Sequence, residues 1–276
     1  ITGADGQLGS CLKSLLKSKA DNEYHFFSSK EFNLTNANQM SSVITKIKPN
    51  VLINCAAFTD VDGAESNELI SREINADGVK LLAEICSPET KIIHISSDYV
   101  FDGLSSHPYS SDSKPNPLSI YGKSKLRGEI ALKDSACNYI VIRSSWIFSE
   151  YNQNFLKTIH NLSLKQKNLK VINDQIGNPT YAMDLAEAIL YLINNDGFNK
   201  FSRSILHFSG ADSCSWYDFA RMIVEKSKIQ FDDMILEKLD SISTVDFQQL
   251  ALRPKYSVLQ TSNFFKNLDC LKLPLE

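Results

Sequence analysis

Short, uninterrupted apolar runs alternate along the chain with stretches whose apolar residues recur every three to four positions. The runs fall at 24–27, 51–55, 92–95, 139–142, 169–172 and 205–208. The first four are bounded by polar residues and show no inside–outside alternation, the pattern of strands buried on both faces. Between them, Leu12, Leu15 and Leu16 share one helical face. Met40, Val43, Ile44 and Ile47 share another, behind a candidate N-cap at Thr35 or Asn36. Leu69, Ile74, Leu81, Leu82 and Ile85 mark a long helix that has to stop before Pro88. Strand and helix in alternation predict an α/β fold with a doubly wound parallel sheet, because a parallel neighbour needs a crossover helix.

After Trp146 the rhythm loosens. Residues 148–181 combine a polar helix with the turn-rich Asp174-Gln175-Ile176-Gly177-Asn178-Pro179-Thr180, and 182–194 are helical again. The run at 205–208 reads as a late strand of the same sheet. A helix over 216–226 is followed by an irregular stretch. This divides the chain into a sheet domain (1–147 plus 182–209) and a smaller, mostly C-terminal lobe (148–181 plus 210–276).

Three of the chain's 11 glycines lie in Gly3-Ala4-Asp5-Gly6-Gln7-Leu8-Gly9, where the first strand would meet the first helix. Such a loop lets backbone approach a pyrophosphate whose charge rests on the helix N-terminus, so the sheet domain reads as a Rossmann-type dinucleotide site. The run at 24–27 is followed by Ser28-Ser29-Lys30, not by the acid that would bond a ribose 2′-hydroxyl. Hydroxyls with a cation suit a 2′-phosphate, so NADPH is expected ahead of NADH, with NADH a second cofactor; a solvated turn is the other reading of these three residues. Only Ile1 and Thr2 precede Gly3. A first strand of ordinary length leads to the expectation of about four to six further residues before Ile1, mostly Val, Ile or Leu, with an initiator Met.

Tyr121-Gly122-Lys123-Ser124-Lys125 puts a phenol and an ammonium one helical turn apart on one face. A free tyrosine has a pKa of about 10, and a neighbouring positive charge makes it a usable acid–base group. The 92–95 run leads into Ser96-Ser97-Asp98-Tyr99-Val100-Phe101, at a strand's carboxyl end, where open α/β sheets hold their ligands. A hydroxyl there can share a carbonyl oxygen with the tyrosine. Asp98 either caps the following turn or touches substrate.

Composition narrows the field. Lys plus Arg is 29 against Asp plus Glu 32 over 276 residues, with no basic run, which argues against nucleic-acid binding. The longest apolar stretch, 51–58, is interrupted by Asn54 and is far short of the ~18 residues of a membrane span. The six cysteines (11, 55, 86, 137, 214 and 270) have no CxxC spacing and read as reduced thiols of a cytoplasmic protein. Five histidines (25, 94, 107, 160 and 207) show no ligand spacing, and His94 and His207 read as core residues. No metal site is indicated by the spacing, and a requirement for a divalent cation such as Mg2+ stays open.

These blocks resemble the extended short-chain dehydrogenase/reductases, and within them the family of dTDP-4-dehydrorhamnose reductases. The resemblance rests on residues 2–9, Asn33-Leu34-Thr35, the run Asn54-Cys55-Ala56-Ala57-Phe58-Thr59-Asp60-Val61-Asp62-Gly63-Ala64-Glu65, and residues 96–103, 121–129, 143–146, 177–180 and 253–259. It implies Ser97, Tyr121 and Lys125 as the catalytic set, with Ser97 where the family more often has Thr. It implies a cofactor held by Gly3, Asp5, Gly6, Gln7, Leu8, Gly9, Ser28, Ser29, Asn33, Leu34, Ala56, Ala57, Phe58, Tyr121 and Lys125. Asn33 stands where an Asp is usual near the adenine. Val61, Ser97, Asp98, Tyr99, Tyr121 and Trp146 would meet the sugar, Trp146 as a flat platform. Arg253 and the 177–180 turn would contact the nucleotide diphosphate. The implied function is NADPH-dependent reduction of the C4 ketone of dTDP-4-dehydro-L-rhamnose to dTDP-L-rhamnose, in a protein compatible with a homodimer. The alternatives are reduction or epimerisation of another nucleotide sugar, and a non-catalytic regulatory subunit of the same fold.

Overall fold

The computed structural model describes residues 1–17, 19, 22–230 and 234–261. Four parallel strands form the central sheet in the order Val51–Asn54, Lys91–Ser97, Asn138–Ser144 and Ser204–His207. The middle pair runs in register from Lys91↔Asn138 to Ser97↔Ser144. Thr2 extends the sheet beyond Asn54 through parallel bridges to Asn54 on one side and Phe27 on the other. Of the 24–27 run only Phe27 pairs. The chain therefore departs in opposite directions from Thr2, and the carboxyl ends of the strands around that reversal frame a crevice of the kind that binds ligands. Beside Ile1, a cavity of about 250 Å³ is lined by Tyr24, Ile44, Val51 and Leu190, among others.

Helices cover both faces of the sheet, as the apolar runs of its strands require. On one face, Gln7–Leu16 and Ala182–Asn194 bury Leu12, Leu16, Leu185 and Ile189 against Ile93 and Ile142. On the other, Ala37–Ile47, Gly78–Ile85 and Ile120–Asp134 bury Met40, Ile44, Val79, Leu82 and Leu132 against Ile92 and Val141. Of the two candidate caps, Asn36 takes the role, its side chain accepting the Gln39 N–H at 3.0 Å.

The expected long helix of 69–85 is broken. Val61–Ser66 and Glu68–Arg72 meet at Asn67, and a wide π turn, Glu73–Asp77, leads into Gly78–Ile85. The extra residue in that turn swings Asn75 inward, where it is 1% exposed. Its Oδ1 accepts the Phe58 N–H (2.8 Å) and its Nδ2 donates to the Phe58 carbonyl (2.9 Å) and to Ser124 Oγ (3.0 Å). Local helical geometry is given up to fix the loop after the first sheet strand, a common use of π turns.

The 169–172 run does not join the central sheet. Its strand, Asn168–Ile172, pairs in parallel with Lys238–Ile242, which lies in the stretch expected to be irregular. Only Leu239 and Ile242 of that partner are apolar, so it carries no continuous run. Helices Phe155–Ser163 and Trp216–Gln230, the latter longer than expected, close a separate core of Ile159, Val171, Phe219 and Ile223 over it. The segment 253–260 then runs back as a strap, pairing with Tyr109 and Ile176 and donating the Leu259 N–H to Asn178 Oδ1 at 3.1 Å. Cys11, Cys86 and Cys137 are buried free thiols; Cys55 and Cys214 are also free and half-buried. Cys270 and the expected end of the second lobe at 262–276 lie outside the described residues. Among the described residues no helix is long and apolar enough to cross a membrane.

Candidate active site

A cleft of about 670 Å³ opens at the carboxyl ends of the sheet strands, from the glycine loop to the start of the Ile120–Asp134 helix. Gly3 turns the chain with φ +63°, and a Cβ there would lie 2.7 Å from the Ala56 backbone nitrogen, so only glycine fits. The helix that follows has Gly6 as its cap and no side chain satisfying its first N–H groups. That leaves a partial positive charge facing the cleft beside Asp5, Gly6, Gln7 and Leu8, which line it with Gly3. Gln7 ties the loop to the opposite wall: its Nε2 donates to the Ile147 carbonyl at 3.2 Å, and its Oε1 accepts from Ser149 and Asn154 at 2.9 Å each. This cradle suits a pyrophosphate. Ser29, Asn33, Leu34, Ala56 and Ala57 continue the wall from it.

The reacting end is built by two adjacent elements. Strand Lys91–Ser97 delivers Ser97, and the helix capped by Ser119 presents Tyr121 and Lys125 on successive turns. Burial pushes the Tyr121 phenol up to about 12, opposed by the Ser97 hydroxyl and assisted by Asp98. Lys125 is 2% exposed and donates from Nζ to the Ile95 carbonyl at 2.6 Å. Burial brings its ammonium down to about 8, against the neighbouring Glu129 carboxylate. In the protein alone, then, Ser97 is the polar group that eases ionisation of Tyr121, and the Lys125 ammonium is aimed at the strand backbone. Of the two roles considered for Asp98, the cap of the following turn falls to Ser97, whose Oγ accepts the Tyr99 N–H at 3.1 Å. Asp98 lines the cleft and stands in the turn, its Oδ1 accepting from Ser97 Oγ at 3.0 Å. Its Oδ2 is buried without a hydrogen bond of good geometry, and burial pushes its carboxyl up to about 7 against the hydroxyls of Ser257 and Ser97.

Beneath these groups lies a buried ion pair. Arg143 donates from Nε and Nη2 to the two Glu129 oxygens (2.9 and 2.7 Å), and Ser96 Oγ donates to the first of them at 2.5 Å. His207 completes the set, 3.5 Å from Arg143 Nη1 and 3.1 Å from the Tyr109 carbonyl; burial lowers it to about 3. His94 is a core residue too, 3.1 Å from Asn54 Nδ2, but its Nε2 has no partner among the described residues. Among the described residues no group of His, Cys, Asp or Glu has the arrangement of a metal site.

Val61, Tyr99 and Trp146, which the resemblance assigns to the sugar, line the cleft, the Tyr99 ring edge-on to Tyr121 at 5.9 Å. Five expectations meet a different arrangement. Gly9 and Phe58 do not line the cleft; Gly9 packs under Gly3 and Ala4, and Phe58 has both backbone groups bonded to Asn75. Ser28 is turned to Glu31, whose carboxylate accepts its N–H (2.9 Å) and its hydroxyl (2.7 Å). Arg253 does not reach the cleft lining, because its guanidinium grips Asp62 at 2.5 and 3.1 Å. The 177–180 turn is likewise absent from the lining, and Gly177 instead seats the Trp146 indole: a Cβ there would stand 2.5 Å from the ring. Trp216, read only as a helix residue, also lines the cleft.

A doubly wound sheet with a glycine loop at its switch point, and Ser97, Tyr121 and Lys125 across the cleft from it, defines a short-chain dehydrogenase/reductase fold and site. The model of the RmlD substrate binding domain matches residues 1–272, and the chain belongs to that family. It is 39% identical over 264 residues to a dTDP-4-dehydrorhamnose reductase of Aggregatibacter actinomycetemcomitans, covering 94% of this chain and 89% of the relative. Among solved structures it resembles the dTDP-4-dehydrorhamnose reductase of Bacillus anthracis in complex with NADP (TM-score 0.86, 35% identity, 96% and 91% covered). It also resembles a dTDP-4-dehydrorhamnose reductase from Clostridium acetobutylicum (TM-score 0.87, 36% identity, 96% and 90% covered).

Proposed function

We propose that the protein is an NADPH-dependent reductase of the C4 ketone of dTDP-4-dehydro-L-rhamnose, yielding dTDP-L-rhamnose. The observation that carries this is the convergence of Ser97, Tyr121 and Lys125 in one cleft with an uncapped, glycine-lined helix N-terminus. The named activity of the relative at 39% identity and the NADP in the Bacillus anthracis structure support the choice of substrate and cofactor. Gly3, Asp5, Gly6, Gln7 and Leu8 hold the pyrophosphate, and Ser29, Asn33 and Leu34 flank the adenosine half. Ala56 and Ala57 line the way to Lys125, which holds the nicotinamide ribose. When bound, the dihydronicotinamide supplies a hydride. Tyr121 gives its phenolic proton to the C4 oxygen, while Ser97 hydrogen-bonds the same oxygen and steadies its developing charge. Asp98, Tyr99, Val61 and Trp146 surround the sugar. The 148–181 and 210–276 segments together hold the nucleotide sugar over the 1–147 and 182–209 domain.

The test is turnover of the purified protein with NADPH and the 4-keto sugar nucleotide, with the product identified by NMR. The expected product is dTDP-L-rhamnose. No NADPH oxidation, or a product that retains the C4 ketone, overturns the reading.

A further inference from the structure

The Trp146 and Trp216 indoles stack with centroids 3.5 Å apart and planes 7° from parallel. They come from different parts of the chain. Trp146 lies just past the sheet strand Asn138–Ser144, and Trp216 opens the helix Trp216–Gln230, which belongs to the separate core. Both line the cleft. Phe155 tilts onto Trp216 at 4.5 Å, and Gly177 lies against the Trp146 ring. Trp146 also has φ +47°, a left-handed conformation that a bulky side chain keeps only when its surroundings hold it there. Its backbone is held by the pairing of 147–148 with 180–181, and its ring by Gly177 and Trp216. The stack covers one face of Trp146 and so fixes the plane of the ring that lines the cleft.

We infer that Trp216 is a positioning residue for the nucleotide sugar: stacked on Trp146, it fixes the aromatic ring against which the sugar binds. This rests on the reading of Trp146 given under the proposed function. Ser97, Tyr121 and Lys125 stand on other elements, and so does the glycine loop. Loss of Trp216 therefore weakens sugar binding while leaving cofactor binding and the chemical step in place.

The chain has only two tryptophans, so an indole–indole exciton couplet in the far-ultraviolet circular dichroism reports this stack alone. Trp216→Ala is expected to abolish the couplet and raise KM for the nucleotide sugar about tenfold, with kcat and the NADPH Kd within about twofold of wild type. Trp216→Phe is expected to lose the couplet yet recover most of the KM, because a flat ring still backs Trp146. An unchanged KM in Trp216→Ala overturns the inference. So does a parallel fall of kcat and cofactor affinity in both variants, which would mark a general loosening of the fold. Wild-type protein is assayed first. Its failure to turn over the sugar nucleotide would sink the functional reading and this inference with it, whereas turnover with an insensitive KM sinks this inference alone.

Discussion

Asp98→Asn tests the electrostatics of the site through folding stability. The Asp98 carboxyl is 2% exposed, and burial raises it from an ordinary 3.8 to about 7. In the unfolded chain it ionises near pH 4, whereas the native protein keeps its proton to about pH 7. Between those values unfolding releases a proton, so stability falls as pH rises, by about 1.4 kcal/mol per unit. From pH 5 to pH 8 about two units of this titration are crossed, a loss of roughly 3 kcal/mol that the amide variant cannot show. Any fixed cost of the amide cancels when the two proteins are compared across pH. The assay is urea denaturation of wild type and Asp98→Asn, both free of cofactor, at pH 5, 6, 7 and 8. The variant should gain on the wild type by about 3 kcal/mol across that range, with the change complete just above pH 7. Parallel stability curves would refute a protonated Asp98 and, with it, the account of the unpaired Oδ2.

Tyr121→Phe keeps the ring and its edge contact with Tyr99 but removes the proton donor; turnover should fall about 10²–10⁴-fold with NADPH affinity nearly unchanged, and more than a tenth of the activity remaining would exclude the phenol as the acid. Wild-type NADPH affinity should weaken as pH rises past about 8, where the Lys125 ammonium discharges, and Lys125→Met should bind the cofactor weakly at every pH; a wild-type affinity flat to pH 10 would separate Lys125 from the ribose. The protein should use NADPH with a higher kcat/KM than NADH. Lys30→Ala should narrow that preference and Glu31→Gln should widen it, since Glu31 occupies the Ser28 hydroxyl and sets a negative charge near the expected 2′-phosphate; no response to either substitution would place the discrimination elsewhere.

The sheet was legible because its strands are buried on both faces and therefore appear as unbroken apolar runs. Ser97, Tyr121 and Lys125 were legible for a related reason: one strand end and one helical turn fix their relative places locally. What escaped depends on distance or on compensation. Arg253 looks like a free cation until Asp62, 191 positions away in the chain, is folded against it. Ser28 reads as an available hydroxyl although Glu31, three residues on, already accepts from it. Strand Lys238–Ile242 takes its order from pairing with Asn168–Ile172, not from its own two apolar residues. The π turn is invisible to a 3.6-residue period, because one inserted residue merely shifts the phase of the apolar face.

The buried Glu129–Arg143 pair also constrains how this site can change over evolutionary time. Each side chain is at most 2% exposed, so replacing either alone strands the other's charge in the interior, at a cost of roughly 3–5 kcal/mol against a typical total stability of about 5–15. Exchanging both for apolar residues of similar volume need carry no such cost. Single-step mutational paths away from the pair therefore pass through a destabilised intermediate. The helix that carries Tyr121 and Lys125 is thereby held to the floor of the sheet in descendants whose cleft walls, and with them their sugar preferences, remain free to drift.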